Sequence, residues 1–310
     1  LIPAQAAQDR WEALRSLPFP ESYPTPEAAE RLNDEMLFHR ATQVVGWSLP
    51  AMTLWYMKKG SEAQFGAGSN VLVIWKDRLS AETIVSTPNS DVIYAMGYID
   101  LKKDGPTVIE VPPKQQGILD DFWHRPLTDV GFVGPDKGEG GKYLLLPPGH
   151  EGETPEGYHT FNSKTYNVFV FWRAFRDKET GDASEAVALM EETRIYPLAA
   201  KDDPPAMKFP NGTGQPADMV YPRDYRYFEG LAEFVQEEAV DPADFDPVCH
   251  QPIGDVDLGR VRPAGEDGDL DVHRSQHARE GGEDARGAAV VQAGDDVGDA
   301  HGTILLAAPR

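Results

Sequence analysis

The sequence predicts an α+β protein centred on an antiparallel β-sandwich of jelly-roll-like form, with flanking helices and a disordered C-terminal tail. Three observations lead there. Between Thr87 and Arg173 short apolar runs recur at close spacing, broken by Pro and Gly: VIYAMGYIDL, GPTVIEVPP, GILDDFWHRPLTDVGFVGP, KYLLLPPG and KTYNVFVFWRAF. Strands of this length, so separated, belong to sandwiches and barrels rather than to nucleotide-binding sheets. Helix-period patterns flank the region on both sides. Beyond Phe245 the chain contains no Phe, Tyr or Trp, so its end can bury little apolar surface.

Residues 1–8, LIPAQAAQ, have the small-residue form of a signal-peptide cleavage region and read as a leader remnant or as disordered chain. A helical segment is expected over 9–69. Its first pattern lies around Trp11 and Leu14, followed by a Pro-rich link. Thr25 then suits an N-cap, Pro26 the first helical position, and Glu27 and Glu30 the positive end of the dipole. Leu32, Met36 and Val44 fall near one face. Gly46 and Pro50 are expected to interrupt this helix, and AMTLWYMKKG to form a second one ended by Gly60.

The sandwich is expected over 70–198, beginning at VLVIW. Late in it the helical period returns: Asp182 can cap, Glu185 follows three residues on, and Ala186, Leu189, Met190 and Thr193 mark one face before Pro197 stops the run. Residues 199–245 read as linker and helix. The Pro-, Asp- and Gly-rich stretch of 199–220 exceeds an ordinary connection and is expected to be an interdomain linker or a binding loop. Its Asn211-Gly212-Thr213 matches a glycosylation acceptor. A helix from Asp224 to Glu238 would bury Tyr227, Leu231, Phe234 and Val235. Residues 246–310, rich in Ala, Gly, Asp and Arg but without Lys, read as non-native sequence from a frame-shifted gene in preference to a native acidic tail.

Composition excludes several classes. With 51 Asp and Glu against 29 Lys and Arg, a net charge of −22 makes nucleic acid an unsuitable partner, because phosphate contacts need clustered cations. The one cysteine, Cys249, lies in the tail, so the sandwich has no disulfide, thiolate zinc site or cysteine nucleophile. No apolar run approaches the roughly 18 residues of a transmembrane helix. There is no G-x-S-x-G elbow, H-E-x-x-H pair, phosphate loop or dinucleotide fingerprint.

What remains is Asp120-Asp121-Phe122-Trp123-His124-Arg125, with Asp129 beyond it. As a strand, alternation would place Asp120, Phe122 and His124 on one face and Asp121, Trp123 and Arg125 on the other. Asp120 beside His124 would hold an imidazole as a general base, with Asp129 as a further catalytic carboxylate. A metal there would need a third ligand from Asp91, Asp129 or His159, and its identity stays open, as does any cofactor. The structural alternative pairs Asp121 with Arg125 at a sandwich rim. Asn89-Ser90-Asp91 forms a second polar cluster whose side chains suit a turn or a ligand. Tyr94, Met96 and Tyr98 alternate as a row that is either core or a sugar-stacking face, and Arg173 closes a strand where it can anchor a carboxylate or pair with an acidic neighbour. Asn89, Asp91, Tyr94, Asp121, Trp123, Arg125 and Arg173 therefore form the candidate binding set.

At PNSDVIYAMGYIDL, GPTVIEVPP, DDFWHRPLTDVG, GGKYLLLPPG and NVFVFWRAF the chain resembles the family called domain of unknown function 1254, from about Trp11 to Phe245. The resemblance implies a β-sandwich in an exported bacterial protein, periplasmic or secreted, normally followed by a second β-rich domain, domain of unknown function 1214. It implies no reaction. Here the Ala/Gly/Asp/Arg tail stands where that second domain is expected, so an apolar face left uncovered would favour self-association. The leading expectation is binding of a neutral or cationic small molecule such as a carbohydrate. The alternatives are a hydrolase, metal-assisted or glycoside-type, using Asp120 and His124, and a structural assembly module.

Overall fold

A sheet is stable where its backbone groups are paired and its apolar faces are covered, and both demands shape this chain. The structure, a computed structural model, describes residues 4–89 and 91–238 together with two short strands, Val290–Gln292 and Leu305–Ala307, which pair antiparallel. The rest of the expected tail, Ser90 and residues 1–3 lie outside the described residues. The chain divides into two compact units, one built on Leu1–Ser48 and one on Leu49–Asp244.

The first unit contains α1 (Ala4–Arg15) and the first part of α2 (Pro26–Phe65). Helix α1 begins within the stretch read as a cleavage region. Arg10 grips the mostly buried Glu35 through Nε at 2.9 Å and Nη2 at 2.6 Å, the two-pronged geometry that lets a carboxylate leave water. The Thr25 hydroxyl accepts the Ala28 N–H at 3.3 Å, so the expected cap heads α2.

The expected break in α2 does not occur: the helix runs for 40 residues with Pro50 inside it. An interior Pro costs about 3 kcal/mol. The turns that follow bury Ala51, Met52, Leu54, Trp55 and Met57, and each large side chain contributes roughly 1.5–3 kcal/mol, so burial outweighs the missing donor. Gly60 does not end the helix either. A β-carbon there would lie 1.9 Å from the Asp218 carbonyl oxygen, so Gly60 is required by a passing backbone rather than by a cap. The helix stops at Phe65, where Gly66 takes φ +94°.

The second unit holds β1 (Leu72–Trp75), β2 (Thr83–Ile84), β3 (Val92–Asp100), α3 (Leu101–Asp104), β4 (Thr107–Val111), β5 (Gly117–Asp121), β6 (Pro126–Val130), β7 (Gly141–Leu146), β8 (His159–Asn162) and β9 (Asn167–Phe175). Then come α4 (Ser184–Glu191), β10 (Arg194–Pro197), β11 (Ala217–Asp218) and α5 (Arg226–Glu237). A five-stranded antiparallel sheet has the order β1-β3-β9-β5-β6, and a four-stranded sheet the order β10-β4-β7-β8, antiparallel except for the β7–β8 pair. One face of each sheet enters a common core. Ile93, Ala95 and Ile99 from β3 and Val168, Val170 and Trp172 from β9 cluster with Ile109 from β4, Tyr143 and Leu145 from β7 and Ile195 from β10. The class is therefore α+β with antiparallel sheets, as expected.

Two segments differ from expectation. The helical run after Asp182 ends at Glu191, and Arg194–Pro197 pairs with β4 as an edge strand, because Ile195 finds the common core and Thr193 takes the Trp172 indole N–H at 3.2 Å. The loop of 199–220 runs along the outer edge of β1: Leu72 N–H donates to Lys208 O, Ile74 N–H to Pro210 O and Gly212 N–H to Ile74 O, each at 2.9 Å. An open strand edge invites pairing with another chain, and a Pro-rich segment covers it. The glycosylation-like triplet is part of this cover, with Asn211 Oδ1 accepting from Thr213 N–H at 3.0 Å.

Candidate functional site

Antiparallel partners share a face, so the register of the five-stranded sheet assembles rows on the side away from the common core. One row is Tyr98, Phe169 and Asp120; the next is Met96, Phe171, Ile118 and Asp129; a third is Tyr94 and Arg173. The rings stack continuously, with centroids 5.5 Å apart for Tyr98 and Phe169, 5.4 Å for Phe169 and Phe171, and 5.3 Å for Phe171 and Tyr94. The Arg173 guanidinium ends the ladder 5.9 Å from the Tyr94 centroid. Tyr94, Met96 and Tyr98 are only 5%, 4% and 6% exposed, so their faces are closed to a sugar ring.

The hexapeptide Asp120–Arg125 is not one strand. Strand β5 ends at Asp121, and Phe122–His124 form the turn into β6, closed by Asp121 N–H to Arg125 O and His124 N–H to Asp121 O, each at 2.9 Å. Asp121 cements that turn. Its Oδ1 accepts the N–H groups of Trp123 at 2.8 Å and Arg125 at 3.0 Å, and its Oδ2 accepts Arg125 Nε–H at 3.0 Å. Trp123 is buried with its ring 5.3 Å from Phe234 of α5, and Phe122 N–H donates to Thr165 Oγ1 at 2.9 Å. Asp121, Trp123 and Arg125 are thus engaged in holding the hairpin.

Asp120 and His124 do meet, by a different route from alternation. In an extended strand residues four apart are separated by about 13 Å, too far for a hydrogen bond. Here His124 takes a left-handed backbone, φ +60°, at the corner of the turn, and its Nδ1–H donates to Asp120 Oδ2 at 3.0 Å. The imidazole is 44% exposed and the carboxylate 5%. The other oxygen, Asp120 Oδ1, is buried with no partner among the described residues. A carboxylate on Nδ1 fixes the ring and its tautomer, which leaves Nε2 as the basic atom.

The second predicted cluster is divided. Asn89 N–H donates to the Tyr94 hydroxyl at 3.0 Å and Asn89 Oδ1 accepts Asp91 N–H at 2.7 Å, so Asn89 shapes the entry to β3 while Asp91 stays exposed. Asp129 is exposed on β6, opposite Ile118. His159 lies in the other sheet, its ring 5.2 Å from Tyr143. No three metal-ligating side chains gather among the described residues.

The structure also reveals a groove of about 600 Å³ on the same outer face, lined by Ile118, Asp129, Val133, Phe171, Arg173 and Phe175 among others. Phe175 and Val133 are 76% and 77% exposed at its rim. Alternation along NVFVFWRAF already places Phe169, Phe171, Arg173 and Phe175 on one face. Nothing in the sequence shows that this face is open at one end and covered at the other.

The class defined by these features is a two-sheet α+β domain whose outer sheet face carries a hydrogen-bonded Asp–His pair and an adjoining apolar groove. Residues 69–197 match the model of the family described as protein of unknown function (DUF1254). Among solved structures, the chain is similar to the VPA0106 protein from Vibrio parahaemolyticus, with 16% identity, a TM-score of 0.38, and coverage of 63% of this chain and 47% of that one. It is also similar to an uncharacterised protein from Burkholderia cenocepacia, with 15% identity, a TM-score of 0.28, and coverage of 51% of this chain and 43% of that one. The chain thus spans less than half the length of either neighbour. No curated protein matches it.

Proposed function

We propose that the outer face of the five-stranded sheet binds a small molecule and that the Asp120–His124 pair performs acid–base chemistry on it, with hydrolysis as the reaction class. The observation that carries this reading is the 3.0 Å contact between His124 Nδ1 and a buried carboxylate, made by a residue held in a left-handed conformation. Non-glycine residues adopt that backbone at a cost, and such strain gathers at functional sites. In the reaction His124 Nε2 takes a proton from water, the water oxygen adds to the carbonyl carbon of an ester, and the proton passes to the departing alkoxide. Asp120 orients the imidazole and balances its positive charge. A glycoside-type pair drawing on Asp121 has less support, because that carboxylate accepts three hydrogen bonds from the hairpin.

Release of 4-nitrophenol from 4-nitrophenyl acetate tests the dyad. His124→Gln and Asp120→Asn are each expected to lower kcat/KM about 100-fold or more. Equal rates in the wild type and both variants would end the reading.

Binding without chemistry is favoured by the groove itself. The closed aromatic rows move support away from a carbohydrate and toward a ligand that enters between Ile118, Phe171 and Phe175. An exported setting is tested by fractionating cells that express the gene.

A further inference from the structure

Two cations, Arg173 and Lys114, line the groove beside the dyad, with Asp129 as its acidic group. Arg173 meets only the Tyr94 ring: among the described residues no acidic group pairs with its guanidinium, although the chain carries −22. A guanidinium beside an apolar wall is a carboxylate receptor, because it offers forked donors and is weakly hydrated.

We infer that the groove takes a small monocarboxylic acid with an apolar body, its carboxylate on Arg173 and its body on Ile118, Phe171 and Phe175. The inference names the substrate class for the site proposed above and rests on that reading only for what happens after binding. The ligand carries a single negative charge. Arg173 and Lys114 stand against Asp129 in the groove, a surplus of one positive charge, and Asp177, Glu179, Asp182, Glu185 and Glu192 line the adjoining hollow beyond Phe175, so a second charge would meet repulsion. Arg173 and the Asp120 row stand four strand residues apart, about 13 Å along β9. The acid group is therefore remote from the reacting bond and serves to hold the ligand.

The test is calorimetric titration of the full chain with 4-phenylbutyrate, the neutral 4-phenylbutanol and the dianion phenylsuccinate. The acid is expected to bind at least about tenfold more tightly than either of the others. Arg173→Gln erases the preference over the alcohol and Arg173→Lys keeps part of it. Acid and alcohol binding alike, acid binding unchanged in Arg173→Gln, or no binding of any probe would each overturn the proposal. His124→Gln separates the two readings. It keeps the acid preference if Arg173 is the receptor, and whether it loses ester turnover bears on the dyad alone.

Discussion

The carboxylate of Glu238, just past α5, receives three donors from the entry to β9: Asn167 N–H and Asn167 Nδ2–H on Oε1, each at 2.7 Å, and Tyr166 N–H on Oε2 at 2.6 Å. Burial pushes the Glu238 carboxyl above the usual range, and the three donors offset only part of that rise. A raised carboxyl binds its proton more tightly folded than unfolded. Its contribution to stability is complete below the ordinary glutamate range and is lost as pH rises through the folded value. Thermal unfolding followed as pH rises from the ordinary glutamate range should show this loss in the wild type. Glu238→Ala should flatten that part of the curve while lowering stability by about 3 kcal/mol, since three donors lose their acceptor.

The dyad should be maintained at a cost in stability. His124→Gly relieves the left-handed corner but leaves the Asp120 carboxylate buried with neither oxygen paired. Combining it with Asp120→Val removes that charge. Denaturant unfolding is expected to find the double variant about 1–3 kcal/mol more stable than His124→Gly alone, and no less stable than the wild type. A double variant weaker than either single one would mean that the pair is structural.

Two glycines of α2 should respond with opposite signs. At Gly60 an added methyl meets the Asp218 carbonyl, so Gly60→Ala should destabilise by about 1–3 kcal/mol. At Gly46 nothing lies within 4 Å of the added carbon, so Gly46→Ala should stabilise by roughly 0.5–1 kcal/mol through helix propensity. Denaturant midpoints of the two variants measure the contrast.

Asp136 organises the connection from β6 to β7 and with it the rim of the groove. It accepts Gly131 N–H at 2.8 Å, Gly140 N–H at 3.2 Å and the Tyr143 hydroxyl at 2.6 Å. Asp136→Ala leaves those donors unsatisfied and should cost about 3 kcal/mol. Limited proteolysis should then cut within residues 131–140 faster than in the wild type, while Asp129→Ala, which removes no such bond, leaves the rate unchanged.

Much of this protein was legible as pattern. Alternation placed Tyr94, Met96 and Tyr98 in one row of β3, and the structure turns Ile93, Ala95 and Ile99 to the other side, because the pleat has a period of two whatever surrounds it. The α5 face of Tyr227, Leu231 and Phe234 followed from the helical period in the same way. Asp120–Arg125 misled, because Phe122 and Trp123 suit a strand and the turn depends on Asp121 accepting backbone N–H groups. The same holds for 199–220, whose composition says loop but cannot say which edge it covers.

Local propensity and side-chain period, being properties of neighbouring residues, determined that this chain forms an α+β protein with antiparallel sheets and which residues line each face. Tertiary structure alone decided that α2 passes through Pro50, that Gly60 serves the backbone at Asp218, that Asp120 and His124 meet across a turn, and that Arg173 stands unpaired beside a groove. Each of these outcomes depends on a group distant in sequence or on a burial energy larger than the local preference it overrides.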